Sequence, residues 1–364
     1  MKRRDLLKGA AATSTAVAAT SLPSPAISQG LKELRMVTTW PKMYPGLGTS
    51  ADRLAKRISQ ASGGKIRVNI FAAGELVPPF EAFNAVSSGE VDIYHAFEYY
   101  WQSKSKAFNF FAAIPFGITA TEMDAWIYFN GGQSLWDELS AEFNIKPLLA
   151  GNTGMQMGGW YTREINGPAD FRGLRFRMPG IGGEVLRQMG AAAVALAGGE
   201  IFPALQSGAL DGTEWVGPWN DLAFGFYRVV QNYYYPGFHE PGTAIAVGIN
   251  KRLWDGLTES ERRLIESACL AENNLTLAEF NTNNAAALKT LVNEHDVQLR
   301  RFPNSVLNEI GRLSGEVVAE IGNSDPVTKR VYESFLRSRK DSIGWSRISD
   351  QSFWSARLLP FKYG

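Results

Sequence analysis

"AVSSGEVD" at residues 85–92 and "ALQSGALD" at residues 204–211 follow one template, A-[VL]-x-S-G-x-[VL]-D, displaced by 119 residues. In each, the leading residues suit the end of a helix, the Gly a turn, and the final pair the start of a strand that opens with Asp. A strand-like stretch precedes each, GKIRVNIF at 64–71 and GLRFRMPG at 173–180. One strand–helix–turn–strand order in both halves predicts two α/β domains of related build. A cleft between two such domains is a favoured place for a small ligand.

Working outward toward the N-terminus, LKELRMVTTW (31–40) sets Leu34, Met36, Thr38 and Trp40 on one face and reads as a strand. TSADRLAKRISQASGG (49–64) places Leu54 and Ile58 one turn apart and stops at Gly63-Gly64, a helix. KIRVNIF then alternates again. This β-α-β opening predicts a parallel sheet covered by helices. Toward the C-terminus, Thr258-x-x-Glu261 is a capping box, and no Pro or Gly follows until about residue 295. Such a helix is roughly 55 Å long at 1.5 Å per residue, enough to run along both domains as a spine. The remaining segment is also helical in pattern. Its Trp345, Phe353 and Trp354 need burial against either the protein's own body or a partner subunit.

The chain has 364 residues, 45% hydrophobic and 20% charged, as expected for a two-domain globular protein. A net charge of +1 and the lack of a basic stripe argue against a nucleic-acid partner. The single cysteine, Cys269, excludes an intrachain disulfide and a Cys-based zinc site, and it reads as core filler. Residues 1–28 have the tripartite layout of an export signal: a basic MKRRDLLKG, a mildly apolar AAATSTAVAAT, and a cleavage region SLPSPAIS. Arg3-Arg4 followed by Leu6-Leu7 resembles the twin-arginine type, although Lys2 stands where Ser or Thr is usual. Its removal takes four basic residues from 37 and one acidic residue from 36, leaving a net −2. The expected location is the periplasm.

The chemistry-bearing residues form no catalytic motif. His95, His239 and His295 make no recognisable catalytic arrangement; His239 reads as a loop residue and His295 as a solvated helix end. RFRMPGIGGEVLRQMG orders strand, Gly turn and helix as a dinucleotide site does, but Val185 replaces the third glycine. An exported NAD(P)-dependent oxidoreductase is therefore the alternative reading. In LRFRM, Leu174, Phe176 and Met178 share one face, while Arg175 and Arg177 take the other. Pro179-Gly180 ends that strand and leaves Arg177 at its carboxyl edge, where open α/β sheets bind ligands. Its guanidinium suits a two-pronged hydrogen bond to a carboxylate or, alternatively, a surface ion pair. Glu214 also follows a strand end, and Glu240 sits in a loop where the chain could cross between domains. Two glutamates facing one cleft repel unless Arg or a cation separates them. Carboxylates and carbonyls are the donors that hard cations prefer.

Together LRMVTTWPKM (34–43), FNAVSSGEVDIYHA (83–96), INGPADFRGLRFRMPG (165–180), IFPALQSGALDGTEWVGP (201–218) and YYYPGFHEPG (233–242) resemble the extracytoplasmic solute-binding proteins of TRAP transporters. DGTEWVGP and HEPG resemble the 2-oxo acid-binding group within them. The resemblance implies a two-domain Venus-flytrap α/β fold with a long helix spanning both domains and a C-terminal helical tail. Its segments would be domain I at 29–153, completed by about 243–257; domain II at 154–242; the spanning helix at 258–295; and a helical region at 296–364 for dimerisation. It implies no enzyme. The function implied is capture of a 2-oxo acid such as pyruvate and its delivery to membrane permease subunits by a homodimer. By the same resemblance Arg177 and Gln156 hold the substrate, while Glu214, the Trp215 carbonyl, Glu240 and Gln156 hold a cation. Trp40, Tyr94, Tyr100 and Trp219 are candidate walls. With Arg177, two glutamates and a monoanion, a divalent ion would balance the charge, whereas Na⁺ leaves −1. The closer likeness to the 2-oxo acid group points to Na⁺, with Ca²⁺ second.

Overall fold

The computed structural model describes residues 31–363, so the export signal at 1–28 lies outside the described residues. The chain begins with β1 (Lys32–Thr38), α1 (Leu47–Ala61), β2 (Ile66–Phe71), α2 (Ala82–Ser88) and β3 (Ile93–Ala96). Next come α3 (Ala120–Phe129), α4 (Gly132–Ala141) and β4 (Ile145–Asn152). A second run holds β5 (Gly159–Tyr161), β6 (Arg175–Arg177), α5 (Gly180–Gln188), β7 (Ala192–Val194), α6 (Gly198–Gln206) and β8 (Gly212–Thr213). It closes with α7 (Pro218–Phe224) and β9 (Asn232–Tyr235). Then follow β10 (Ala244–Asn250), α8 (Lys251–Asp255) and α9 (Glu259–Glu294). Last are β11 (Gln298–Arg301), α10 (Asn304–Gly322), α11 (Pro326–Ser346) and α12 (Asp350–Ala356).

The strands form two sheets, ordered β2-β1-β3-β10-β4 and β11-β9-β5-β8-β6-β7. In the first, β1 lies between parallel β2 and β3; in the second, β6 lies between parallel β7 and β8. The internal repeat is therefore real but one strand out of step with the sequence reading. By sheet position, residues 173–180 correspond to β1, and the counterpart of 64–71 is β7. The true counterpart escapes notice because β7 is only three residues long, too short for a visible alternation.

An antiparallel strand sits beside each parallel trio: β10 pairs with β3, and β5 with β8. To supply them the chain crosses between the sheets twice, at residues 153–158 and again at 236–243. α9 starts with the expected cap, Thr258 Oγ1 accepting from the Glu261 N–H at 3.3 Å. It packs on β4 and α1 of the first sheet's layer and on α7 beyond the second. Arg53 of α1 donates to Glu272 (2.8 Å) and Glu279 (2.9 Å), and the Trp219 N–H at the start of α7 donates to Asn284 (3.0 Å). This one helix thus holds both layers.

The region after 295 is not wholly helical. β11 pairs parallel with β9 as an edge strand, extending the second sheet. α10 then packs on α5, and α11 on α3 and α4. Beyond them Trp345, Phe353 and Trp354 stay 68%, 64% and 46% exposed, so the chain's own body does not bury them.

Candidate functional site

The two crossings lie against each other. The Thr153 N–H donates to the Thr243 carbonyl (3.1 Å) and the Gly237 N–H to the Gln156 carbonyl (3.1 Å). A Cβ at residue 237 would stand 2.3 Å from the Gln156 oxygen, so this approach requires glycine. The Met157 N–H donates to the Val216 carbonyl (3.2 Å), which adds the segment after β8. Main-chain hydrogen bonds thus fix three segments that carry Gln156, Glu214–Trp215 and His239–Glu240.

Arg177, at the carboxyl end of β6, is fully buried. Its Nε donates to the Leu196 carbonyl (3.2 Å), and Nη1 to the carbonyl (3.0 Å) and Oε1 (2.5 Å) of Glu214. The guanidinium lies 5.0 Å from the Trp215 ring centroid, a cation–π distance. Burial pulls its pKa down, but Glu214 and the neighbouring acids more than offset this, and the net shift is upward. Three of its donors are oriented, yet Nη2 is buried with no partner. The surface ion-pair reading belongs instead to Arg175, which meets Asp211 at 2.5 Å while half exposed.

Glu240 is buried and bonded to Thr243 Oγ1 and to Gln156 Nε2 (2.9 Å). The same Nε2 reaches Thr153 Oγ1 (3.0 Å) and Thr243 Oγ1 (2.8 Å), so the amide's donors are committed while Gln156 Oε1 has no partner. Burial and the charge of Glu214 push the Glu240 carboxyl up to about 7. His239, passed over in the sequence as a loop residue, is 1% exposed with Nε2 3.2 Å from Glu214 Oε2. Burial lowers its pKa, and the hydrogen bond to Glu214 reverses that into a net rise. One ligand atom each from Glu214, His239 and Glu240 lies within 4.8 Å of the others. No periodic signal could have shown which way His239 faces, because its loop is bounded by Pro and Gly.

Three of the four aromatic candidates lie in or against one apolar cluster that contains Trp215. Trp40 shares an apolar cluster with Tyr99 and Trp215, and Trp219 and Tyr100 pack against it. Burial keeps the Tyr99 and Tyr100 phenols protonated, and both feel the charges of Arg177, Glu214 and Glu240. Tyr94 is elsewhere: it donates to Glu98 at 2.6 Å and packs on Phe83 and Trp101 in the first sheet's core. His95 is likewise a core residue, accepting from Trp40 Nε1 at 2.8 Å. His295 ends α9 and stacks on Tyr227 at 3.9 Å. Cys269 is buried core.

The donor set suits a hard cation: two carboxylates, an amide oxygen without a partner, and the peptide carbonyls of the crossing segments. At Gly182, the second glycine of the dinucleotide-like motif, a Cβ would stand 2.8 Å from Met178 Sδ and 2.9 Å from His239 Cβ, so side chains already crowd the space beside it.

Comparison with known proteins adds independent findings. Residues 36–325 match DctP, the bacterial extracellular solute-binding proteins of family 7. A monocarboxylate 2-oxoacid-binding periplasmic protein of Nostoc sp. is 36% identical over 360 residues, 97% of this chain and 98% of its own. A TRAP transporter solute-binding protein from Bordetella bronchiseptica, a mixed-occupancy dimer with copurified calcium and picolinate in one site, superposes with a TM-score of 0.88. It is 34% identical, over 90% of this chain and 97% of that one. A TRAP periplasmic solute-binding protein from Pseudoalteromonas atlantica, with bound sodium and pyruvate, gives 0.87 at 31% identity, over 91% and 100%.

Proposed function

The chain belongs to the DctP family of bacterial extracellular solute-binding proteins, a family of receptors and not enzymes, and from that premise we propose that it captures 2-oxo acids such as pyruvate in the periplasm for a TRAP permease. The observation that carries this reading is the buried cluster of Arg177, Glu214, Glu240 and Gln156 with its partnerless Nη2 and Oε1. Folding rarely leaves such groups unpaired, and a ligand accounts for them. Relatives that bind pyruvate or a monocarboxylate 2-oxo acid give the ligand class.

In this mechanism Arg177 directs Nη2 at the substrate carboxylate while Leu196 and Glu214 hold the guanidinium in one orientation. Glu214, Glu240, Gln156 Oε1 and the Trp215 carbonyl would hold a cation, which when bound supplies positive charge to the carboxylate and keto oxygens together. That pairing favours 2-oxo acids over simple acids. Na⁺ is our assignment and Ca²⁺ the alternative, since relatives carry either. Trp40, Tyr99, Tyr100 and Trp219 exclude water, which strengthens every charge inside. Across the cleft the Tyr44 hydroxyl donates to the Asn220 carbonyl (2.6 Å), and Asn220 Nδ2 to the Pro45 carbonyl (2.8 Å). This pair of bonds would latch the closed form.

Residues 29–153 with 243–257 form one moving body in this reading and 154–242 the other, with the two crossings as hinge. The exposed Trp345, Phe353 and Trp354 are proposed to be covered by a second copy, as the dimeric relative supports. Light scattering of a chain ending at residue 347 should then give the monomer mass. Native mass spectrometry of the exported protein tests the function itself. A released 2-oxo acid is expected, and a nicotinamide nucleotide would revive the oxidoreductase alternative.

A further inference from the structure

Asp221 lies in the first turn of α7, wholly buried, and forms no ion pair among the described residues. Oδ2 accepts from Trp160 Nε1 (2.9 Å) and from the Tyr233 hydroxyl (2.7 Å). Trp160 of β5 and Tyr233 of β9 are cross-strand partners whose rings stack at 4.0 Å, so they form a stiff platform. Oδ1 accepts from the Val216 N–H at 3.3 Å. A carboxylate is a costly group to bury without a cation, and an apolar residue would fill this space with less loss of solvation. What sets Asp221 apart from a core acid held only by side chains is the main-chain N–H of Val216, in the segment that carries Glu214.

The Val216 N–H belongs to the same planar peptide unit as the Trp215 carbonyl. In a trans peptide the N–H and C=O point in opposite directions, so anchoring one fixes the other. Val216 is anchored again on its far side, where its carbonyl accepts from the Met157 N–H, next to Gln156. Trp160 and Tyr233 hold Asp221, and Asp221 holds the peptide that joins Trp215 to Val216, next to Glu214.

We infer that Asp221 is a positioning residue of the cation site: through the Val216 N–H it sets the direction of the Trp215 carbonyl before any ligand arrives. This rests on the reading of that carbonyl as a cation ligand. Second-layer partners of metal ligands commonly tune affinity about tenfold or more, and that is the effect expected here.

The test is pyruvate binding by calorimetry across a sodium chloride series in sodium-free choline buffer, with calcium removed by chelator. Asp221→Leu, which removes the acceptor for the Val216 N–H that Asn would keep, should raise the half-saturating sodium concentration about tenfold while pyruvate affinity at saturating sodium changes far less. Tyr233→Phe removes one of the two donors to Asp221 Oδ2 but leaves Trp160 and the Val216 bond, so it should move the sodium requirement less than Asp221→Leu does. Equal sodium requirements in wild type and Asp221→Leu would overturn the inference alone. A wild type indifferent to both cations would overturn the site reading and the inference with it. Hydrogen exchange of the 215–217 amides in cation-free wild type gives a check that needs no variant. Slow exchange is expected; exchange that slows only on ligand binding would contradict a preset carbonyl.

Discussion

Two buried carboxylate systems in this molecule follow opposite logic. Glu98, in the core under the first sheet, accepts from the Tyr94 hydroxyl (2.6 Å) and Trp136 Nε1 (2.5 Å), both neutral donors. Burial pushes its pKa up to about 8, so at neutral pH the side chain is largely protonated and the core carries little net charge there. Glu214 and Glu240 are equally buried, but charged and polar side chains surround them, and Arg177 Nη2, Gln156 Oε1 and His239 Nδ1 remain without partners. Both carboxylate oxygens of the first are met by neutral donors. The second gathers three unpaired polar atoms around two buried glutamates, whereas other unpaired atoms such as Ser140 Oγ and Ser314 Oγ stand on other elements of the fold.

The sharpest way to break this contrast is Arg177→Lys, which keeps the charge but loses the planar fork. Pyruvate affinity should fall about a hundredfold, on the order of 2–3 kcal/mol, as when one partner of a buried charge pair is removed. Calorimetry that finds the affinity unchanged would end the role assigned to Arg177. Glu98→Gln, which mimics the neutral acid, should leave pyruvate affinity unchanged and alter only stability. The folded pKa of Glu98 is raised from 4.5 to about 8, so its contribution is complete below about pH 4.5 and is lost as pH rises toward 8. The Gln variant should therefore melt higher than wild type at pH 8, by an amount worth at most a few kcal/mol, and show a flatter melting profile between pH 5 and 8. A loss of ligand affinity in that variant would blur the division between the two systems. The smallest effect belongs to Tyr44→Phe, which deletes one latch hydrogen bond worth about 1 kcal/mol. Stopped-flow release of pyruvate should speed up several-fold; unchanged release would remove Tyr44 from the latch.

Much of the fold was legible because its signals are local. Alternation in LKELRMVTTW and KIRVNIF, the Gly63-Gly64 stop and the Thr258 cap each sit within a few residues of what they specify. Sheet neighbours were not legible: β7 is too short to announce itself, and β11 is an edge strand with little apolar alternation. Arg177 and Glu214 could be placed at strand ends by position, and they do meet in the structure. Gln156 and Glu240 needed the family likeness, because loop residues carry no period to aim them. Tyr94 went astray for a related reason. Its ring lies over Gly248 of β10, more than 150 positions away, where any Cβ would stand 2.0 Å from it. His239 was missed and Asp221 not singled out, since their partners come from other segments of the chain.

The central claim is that the site around these two glutamates holds an acid and a cation together. Calorimetric titration of wild-type protein with pyruvate, first in buffer free of sodium and calcium and then with each restored, tests it most directly. The account predicts that affinity drops at least about tenfold without the cations and returns when one is added back. Equal affinity in both buffers would contradict it.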